Sequence, residues 1–173
     1  MKYIISICVA IVLLFGISYF VANKNADAPD ITTTSSQTEI KDTHTGPVDN
    51  GLDLSNRGLM KVPAYIFDYE YLESLNLSHN NLTGSLQAEV RFLSRLKVLN
   101  ISNNKFTGVP AEVGQLKNLE VLDVSNNQIT GLPMEIGNLS KLKTLILTGN
   151  DYSKSDLETI RKNLPKTTVI ITE

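Results

Sequence analysis

From Leu119 to Leu142 the chain reads LEVLDVSNNQITGLPMEIGNLSKL, with apolar residues at Leu119, Leu122, Val124, Ile129, Leu132, Ile136 and Leu139. Asn127 and Pro133 stand at set points among them. The stretch before it, LKVLNISNNKFTGVPAEVGQLKN, places the same residue types in the same order. Asn80, Asn104, Asn127 and Asn150 follow one another at intervals of 24, 23 and 23 residues. A period of this length is neither helical nor strand-like. It marks a chain built from one unit repeated, in which each unit buries its apolar face against the next.

Within each unit the L-x-L core predicts a short strand whose side chains alternate between two faces. Leu75 and Leu77, Leu99 and Ile101, Leu122 and Val124, and Leu145 and Leu147 point inward. Successive strands are joined by a return segment long enough to bring the next one back in parallel. Pro63, Pro110 and Pro133 suit that return, because proline fixes φ and donates to no ladder. The repeating asparagine is expected to satisfy buried carbonyls where the chain leaves the sheet. The outward positions form three columns. The first is Asp53, Asn76, Asn100, Asp123 and Ile146; the second is Gly51, Ser74, Val98, Val121 and Thr144; the third is Ser55, Ser78, Ser102, Ser125 and Thr148.

The LxxLxLxxN core, repeated with about ten matching positions per unit, resembles the leucine-rich-repeat family over residues 51–173. That resemblance implies an α/β solenoid: an arc with a short parallel sheet on its concave face and irregular or 3-10 returns on its convex face. The concave columns would then be the partner surface, and Asn76, Val98, Asn100, Val121, Asp123 and Ile146 are the candidate contacts. Val98, Val121 and Ile146 give it an apolar centre, though β-branched residues also occupy strands for propensity alone.

The ends of the array depart from the pattern. Gly51-Leu52-Asp53-Leu54 opens the first of about five repeats, with Arg57 in the place of the asparagine. Tyr65, Phe67, Tyr69 and Tyr71 are expected to cover the open end of the core. The repeat from Leu72 carries one additional residue, Ser85, expected in a convex return, and has Gln87 where its neighbours have proline. Residues 151–173 form a C-terminal cap. Ser155-Asp156-Leu157-Glu158 predicts a capping box opening a helix that buries Leu157, Ile160 and Leu164 and stops before Pro165. Thr167–Thr172, β-branched throughout, predicts a closing strand.

Ahead of the repeats the composition changes twice. Tyr3–Ala22 is an uncharged run of twenty residues, enough helix at ~1.5 Å per residue to span a ~30 Å hydrocarbon layer. Residues 1–22 are therefore a transmembrane anchor or a signal peptide. Ala26-Asp27-Ala28 has the form of a cleavage site, but Pro29 follows at once, which favours the uncleaved anchor; a cleaved form would be secreted. Lys2 on the short flank points the amino terminus to the cytoplasm and the repeats to the extracytoplasmic side. Residues 23–50, rich in Thr, Ser, Asp and Asn, hold too little apolar surface to offset ordering and are expected to be a disordered linker.

Charge and chemistry then narrow the function. Lys plus Arg number 16 and Asp plus Glu 18, so the chain offers no basic face for nucleic acid. Its single cysteine, Cys8, lies in the apolar run, which makes the repeats resemble the cysteine-free kind of this family. His44 reads as a solvated linker residue, and no Ser-His-Asp or Cys-His set, phosphate loop or metal cluster can be assembled. Asparagine triplets such as Asn76-Leu77-Ser78 match the glycosylation pattern, but the repeat generates them by itself. The reading is a non-enzymatic, membrane-tethered module that binds a protein or peptide, with no cofactor and no metal. The alternatives are a passive envelope or adhesion protein, or the recognition part of an enzyme whose catalytic domain lies elsewhere.

Overall fold

The computed structural model describes residues 50–173. The anchor and linker expected over residues 1–22 and 23–50 lie outside the described residues, apart from Asn50. Six short strands, β1 (Gly51–Asp53), β2 (Ser74–Asn76), β4 (Val98–Asn100), β6 (Val121–Asp123), β7 (Thr144–Ile146) and β8 (Val169–Ile171), form one parallel sheet in that order. Each of the four middle strands is three residues long and buries its central side chain, Leu75, Leu99, Leu122 or Leu145, while Leu77, Ile101, Val124 and Leu147 are buried just past the strand ends. The register repeats without slip, with Leu52, Leu75, Leu99, Leu122, Leu145 and Ile170 aligned across the sheet.

The returns are 3-10 turns at Ala64–Asp68, Ala88–Phe92, Ala111–Gln115 and Met134–Asn138. Pro63, Pro110 and Pro133 immediately precede three of them at φ −65°, −74° and −67°. Gln87 reaches the same geometry, φ −70°, without a ring. Proline is therefore convenient here and not required. Between sheet and returns lies a continuous core whose largest fully buried side chain is Phe106.

Asn80, Asn104, Asn127 and Asn150 do what their spacing suggests. Asn104 Nδ2 donates to the carbonyls of Leu77, Ile101 and Ser102 at 2.9, 3.1 and 3.1 Å, while its Oδ1 accepts from Leu82 N at 3.1 Å. The other three repeat this arrangement, each reaching one repeat back for a carbonyl and one loop back for an N–H. The residue ahead of each is left-handed: His79, Asn103 and Asn126 at φ 55°, 54° and 52°, and Gly149 at 72°. At Gly149 a β-carbon would strike the Asn126 side chain, so glycine is needed for space as well as for φ.

Four expectations are corrected. The extra residue Ser85 does not sit in a loop: it ends β3 (Thr83–Ser85), which pairs in parallel with β5 (Lys105–Gly108) as a second, two-stranded sheet. The pairing shifts between Gly84 and Ser85, which stand opposite Phe106 and Gly108, so Ser85 is itself paired and the bulged residue is Thr107 of β5. The C-terminal helix α1 (Lys154–Asn163) is capped by Ser153, whose Oγ accepts from Asp156 N at 3.3 Å, and not by Ser155. Ser153 is extended at φ −67°, ψ 122°, as a cap must be, whereas Ser155 already lies in the first turn. The closing strand is shorter than Thr167–Thr172, because Thr168 N turns back to Pro165 O at 3.0 Å before β8 begins. Lastly, Ser78, Ser102 and Ser125 are buried instead of facing outward, since the chain has left the strand and is already turning at these positions.

At the two ends the array closes differently. Tyr65 and Tyr69 meet edge to face at 6.1 Å between centroids, Tyr69 and Tyr71 at 5.9 Å, and Phe67 is buried beneath. At the C-terminal end Leu157, Ile160 and Leu164 are buried as the spacing predicts. The cap covers the last core layer but leaves the outer edge of β8 unpaired within the sheet.

Candidate partner-binding face

The outward side chains of the main sheet make a face six strands wide, ~24 Å at ~4.8 Å per strand. Asn76, Val98, Asn100, Val121, Asp123 and Ile146 all lie on it, each half-buried between its neighbours. Val98 pairs with Val121 and Asn100 with Asp123, while Asp123 pairs with Ile146, so five of the six form one contiguous patch over β4, β6 and β7. Asn76 adjoins Asn100 on β2.

The polar members are partly committed to the fold. Asn76 Oδ1 accepts from Ser78 N at 3.0 Å and Asn100 Oδ1 from Ser102 N at 2.9 Å. Asp123 Oδ1 accepts from Ser125 N at 2.9 Å and from Ser125 Oγ at 2.7 Å. This turn satisfies the backbone as the chain leaves the strand and explains why an acceptor recurs in the column. It leaves Asn100 Nδ2 and Asp123 Oδ2 without an intramolecular partner among the described residues, one donor beside one acceptor. At the amino-terminal end Asp53 is held below the usual carboxylate range by the Ser55 backbone N–H, helped by hydrogen bonds from the Ser55 and Asn76 side chains.

Two residues of the face were not foreseen. In β8 Val169 aligns with Thr144 and Ile171 with Ile146, so both extend the outward columns. They are 57% and 37% exposed, which makes them the barest apolar side chains of the sheet. The parallel pairing of a strand outside the repeat register was the missing signal; TTVIIT shows strand propensity but not which side faces out.

A ladder of charges borders the strand entries. Lys97 Nζ bonds Glu73 at 2.7 Å and Lys143 Nζ bonds Glu120 at 2.5 Å. The Glu73 hydrogen bond raises Lys97 and the Lys143 hydrogen bond lowers Glu120, both keeping the charged forms. These pairs are solvent-exposed and contribute little to stability. Among the described residues no group of His, Cys, Asp or Glu is arranged to hold a metal ion.

A parallel sheet one strand per repeat, an asparagine ladder and capped ends define a leucine-rich-repeat solenoid. A family model described as "Leucine-rich repeat region" matches residues 56–162, and the chain belongs to the leucine-rich-repeat family. An LRR protein of Leptospira interrogans is 39% identical over 69% of this chain and 30% of its own, with a TM-score of 0.64. The plant peptide hormone receptor RGFR1, solved in complex with RGF2, is 31% identical over 70% of this chain and 20% of its own, with a TM-score of 0.59. Receptor like protein 26 of Arabidopsis thaliana is 44% identical over 52 residues, 30% of this chain. The chain spans only 6% of that relative's length. The fold is thus shared with plant receptors, one of them bound to a peptide.

Proposed function

We propose that the chain is a membrane-tethered interaction module that binds a protein or peptide on its concave sheet. The observation that carries this reading is the patch of Val98, Val121 and Ile146, continued by the exposed Val169 and Ile171 and flanked by Asn100 and Asp123. An apolar centre with a polar border is the composition of a small interface. The position of peptide receptors among the relatives supports a peptide or protein as ligand. Residues 3–22 supply the anchor in this reading, with the repeats on the extracytoplasmic side. No helix among the described residues is long and apolar enough to cross a membrane, and the run that would do so lies outside them.

The test places a photo-crosslinking residue at Val121, at Ile171 and, as control, at Gln115 on a convex return, in the full chain in cells. Lys117 is unsuitable as a control because its Nζ ties Gly114 O to Asn138 O at 2.9 and 3.0 Å. A common product from Val121 and Ile171, absent from Gln115 and lost in a Val121→Arg background, supports the concave face. Equal crosslinking from all three positions rejects it. Val121→Arg should itself cost ~1 kcal/mol of stability or less, as outward substitutions do.

A further inference from the structure

The two edges of the main sheet end differently. β1 opens with Gly51 and exposes Asp53, and a charge on an edge strand discourages a further strand from joining it. β8 is Val169-Ile170-Ile171, with no charge and no proline, and Val169 and Ile171 are exposed. Its inner side is spent on β7: Val169 N donates to Lys143 O and Leu147 N donates to Ile171 O, both at 2.8 Å. In a parallel ladder the residue between turns its N–H and C=O the other way. Those of Ile170 therefore point away from β7, to the side where no further strand lies.

The surroundings of this edge change sign along it. Where β8 begins, Arg161 and Lys166 line the hollow between the strand and α1, beside Thr168 and Ile170. Where β8 ends, the hollow beside Thr172 is lined by Asp151, Glu158 and Glu173 against Lys154. Arg161 lines both hollows and follows Glu158 by one turn of α1. Val169 and Ile171 stand on the concave side, aligned with Thr144 and Ile146. An edge that is basic at one end and acidic at the other complements itself only when reversed.

We propose that β8 is a self-association edge, on which a second copy of this chain adds its own β8 antiparallel about a two-fold axis at Ile170. The two Ile170 residues exchange both N–H···O=C bonds, which satisfies the outward groups of each. Val169 of one copy then stands opposite Ile171 of the other, twice, so the four exposed aliphatic side chains meet on the concave side as cross-strand pairs. Reversal also sets the basic end of each edge beside the acidic end of the other, whereas a parallel addition sets like ends together. The two-fold contact uses up both β8 edges and closes, leaving only the charged β1 edges outside. Tethering to one membrane, as proposed above, raises the effective concentration for a contact only three residues long on each side. The pairing requires no ligand on the concave sheet and stands whether or not that face binds one.

The test uses the full chain with Cys8→Ser, expressed in cells as two differently tagged copies and oxidised with copper phenanthroline. Val169→Cys in one copy and Ile171→Cys in the other set the new thiols opposite each other, with Cα atoms ~4.5 Å apart and within disulfide reach. The same substitution in both copies leaves the Cα atoms ~8 Å apart, beyond that reach. The mixed pair should therefore give about fivefold more disulfide-linked dimer, or better, than either position alone. Thr144→Cys with Ile171→Cys should give none above background. Independently, Val169→Lys with Ile171→Lys in both copies should reduce co-purification of one tagged copy with the other by about fivefold at unchanged circular dichroism, since both positions are exposed. Equal yields from all pairings, co-purification indifferent to the lysines, or a mixed disulfide with a different protein in place of the self-dimer would each overturn the proposal. So would a stronger product between Ile171→Cys and Asp53→Cys, the mark of head-to-tail stacking.

Discussion

The ladder asparagine can be tested for donor against acceptor character at Asn104, where the bookkeeping of hydrogen bonds is complete. Asn104→Ala removes three bonds to carbonyls, but each of those carbonyls keeps another donor: Leu77 O has Asn80 Nδ2, Ile101 O has Asn127 Nδ2, and Ser102 O has His79 N. The atom left without a partner is Leu82 N, in a buried position. A buried unpaired N–H costs ~1–3 kcal/mol, and with the lost packing the substitution should destabilise by ~2–4 kcal/mol. Asn104→Asp has nearly the same shape and keeps the acceptor for Leu82 N. Its second oxygen, however, would face the three carbonyls at the 2.9 to 3.1 Å now occupied by Nδ2. An uncompensated charge at a buried site costs ~3–5 kcal/mol, so aspartate should be worse than alanine at pH 7. The variant also carries a pH signature. Repulsion raises the folded pKa of the new carboxyl above its unfolded value near 3.9. Between those two values the native state binds more protons than the unfolded state, so stability must rise as pH falls through the folded pKa. Urea unfolding followed by circular dichroism at pH 7, 6 and 5, each compared with the wild type, reads both effects. An aspartate variant as stable as wild type at pH 7, or one whose deficit does not shrink on acidification, would show that the side chain does not act as a donor.

Other outcomes follow from packing and from the chain's ends. Residues 51–173 should melt cooperatively without residues 1–50, and Leu122→Ala within that fragment should cost ~2–5 kcal/mol, as for a fully buried leucine; a non-cooperative melt of the fragment would move the domain boundary. Gly114→Ala should destabilise by ~1–3 kcal/mol because its β-carbon meets the Glu135 backbone, whereas Gly131→Ala, with open space around it, should gain ~0.4–1 kcal/mol; thermal melts of the pair compare the two. Alkaline carbonate should fail to extract the full chain from membranes, and protease added to spheroplasts should remove the repeats. Recovery of a soluble form beginning near Ala28 or Asp30 would instead establish cleavage.

The amino-acid sequence by itself determined the solenoid, the inward leucines and the asparagine ladder. Those features are set by one unit's internal spacing, and a period of 23 or 24 residues repeats each constraint until it is unmistakable. The helix-plus-strand cap was legible too, because Leu157, Ile160 and Leu164 mark a helix face and TTVIIT a strand. The candidate face was legible only as columns. That Asn100 and Asp123 each spend one oxygen on their own backbone, and that Ser78, Ser102 and Ser125 turn inward, depends on where a three-residue strand ends. Val169 and Ile171 join the face through pairing with β7, which no periodicity marks because β8 stands outside the repeat. The second sheet, in which Ser85 pairs with Gly108 past a bulge at Thr107, arises from contact between one repeat and the next.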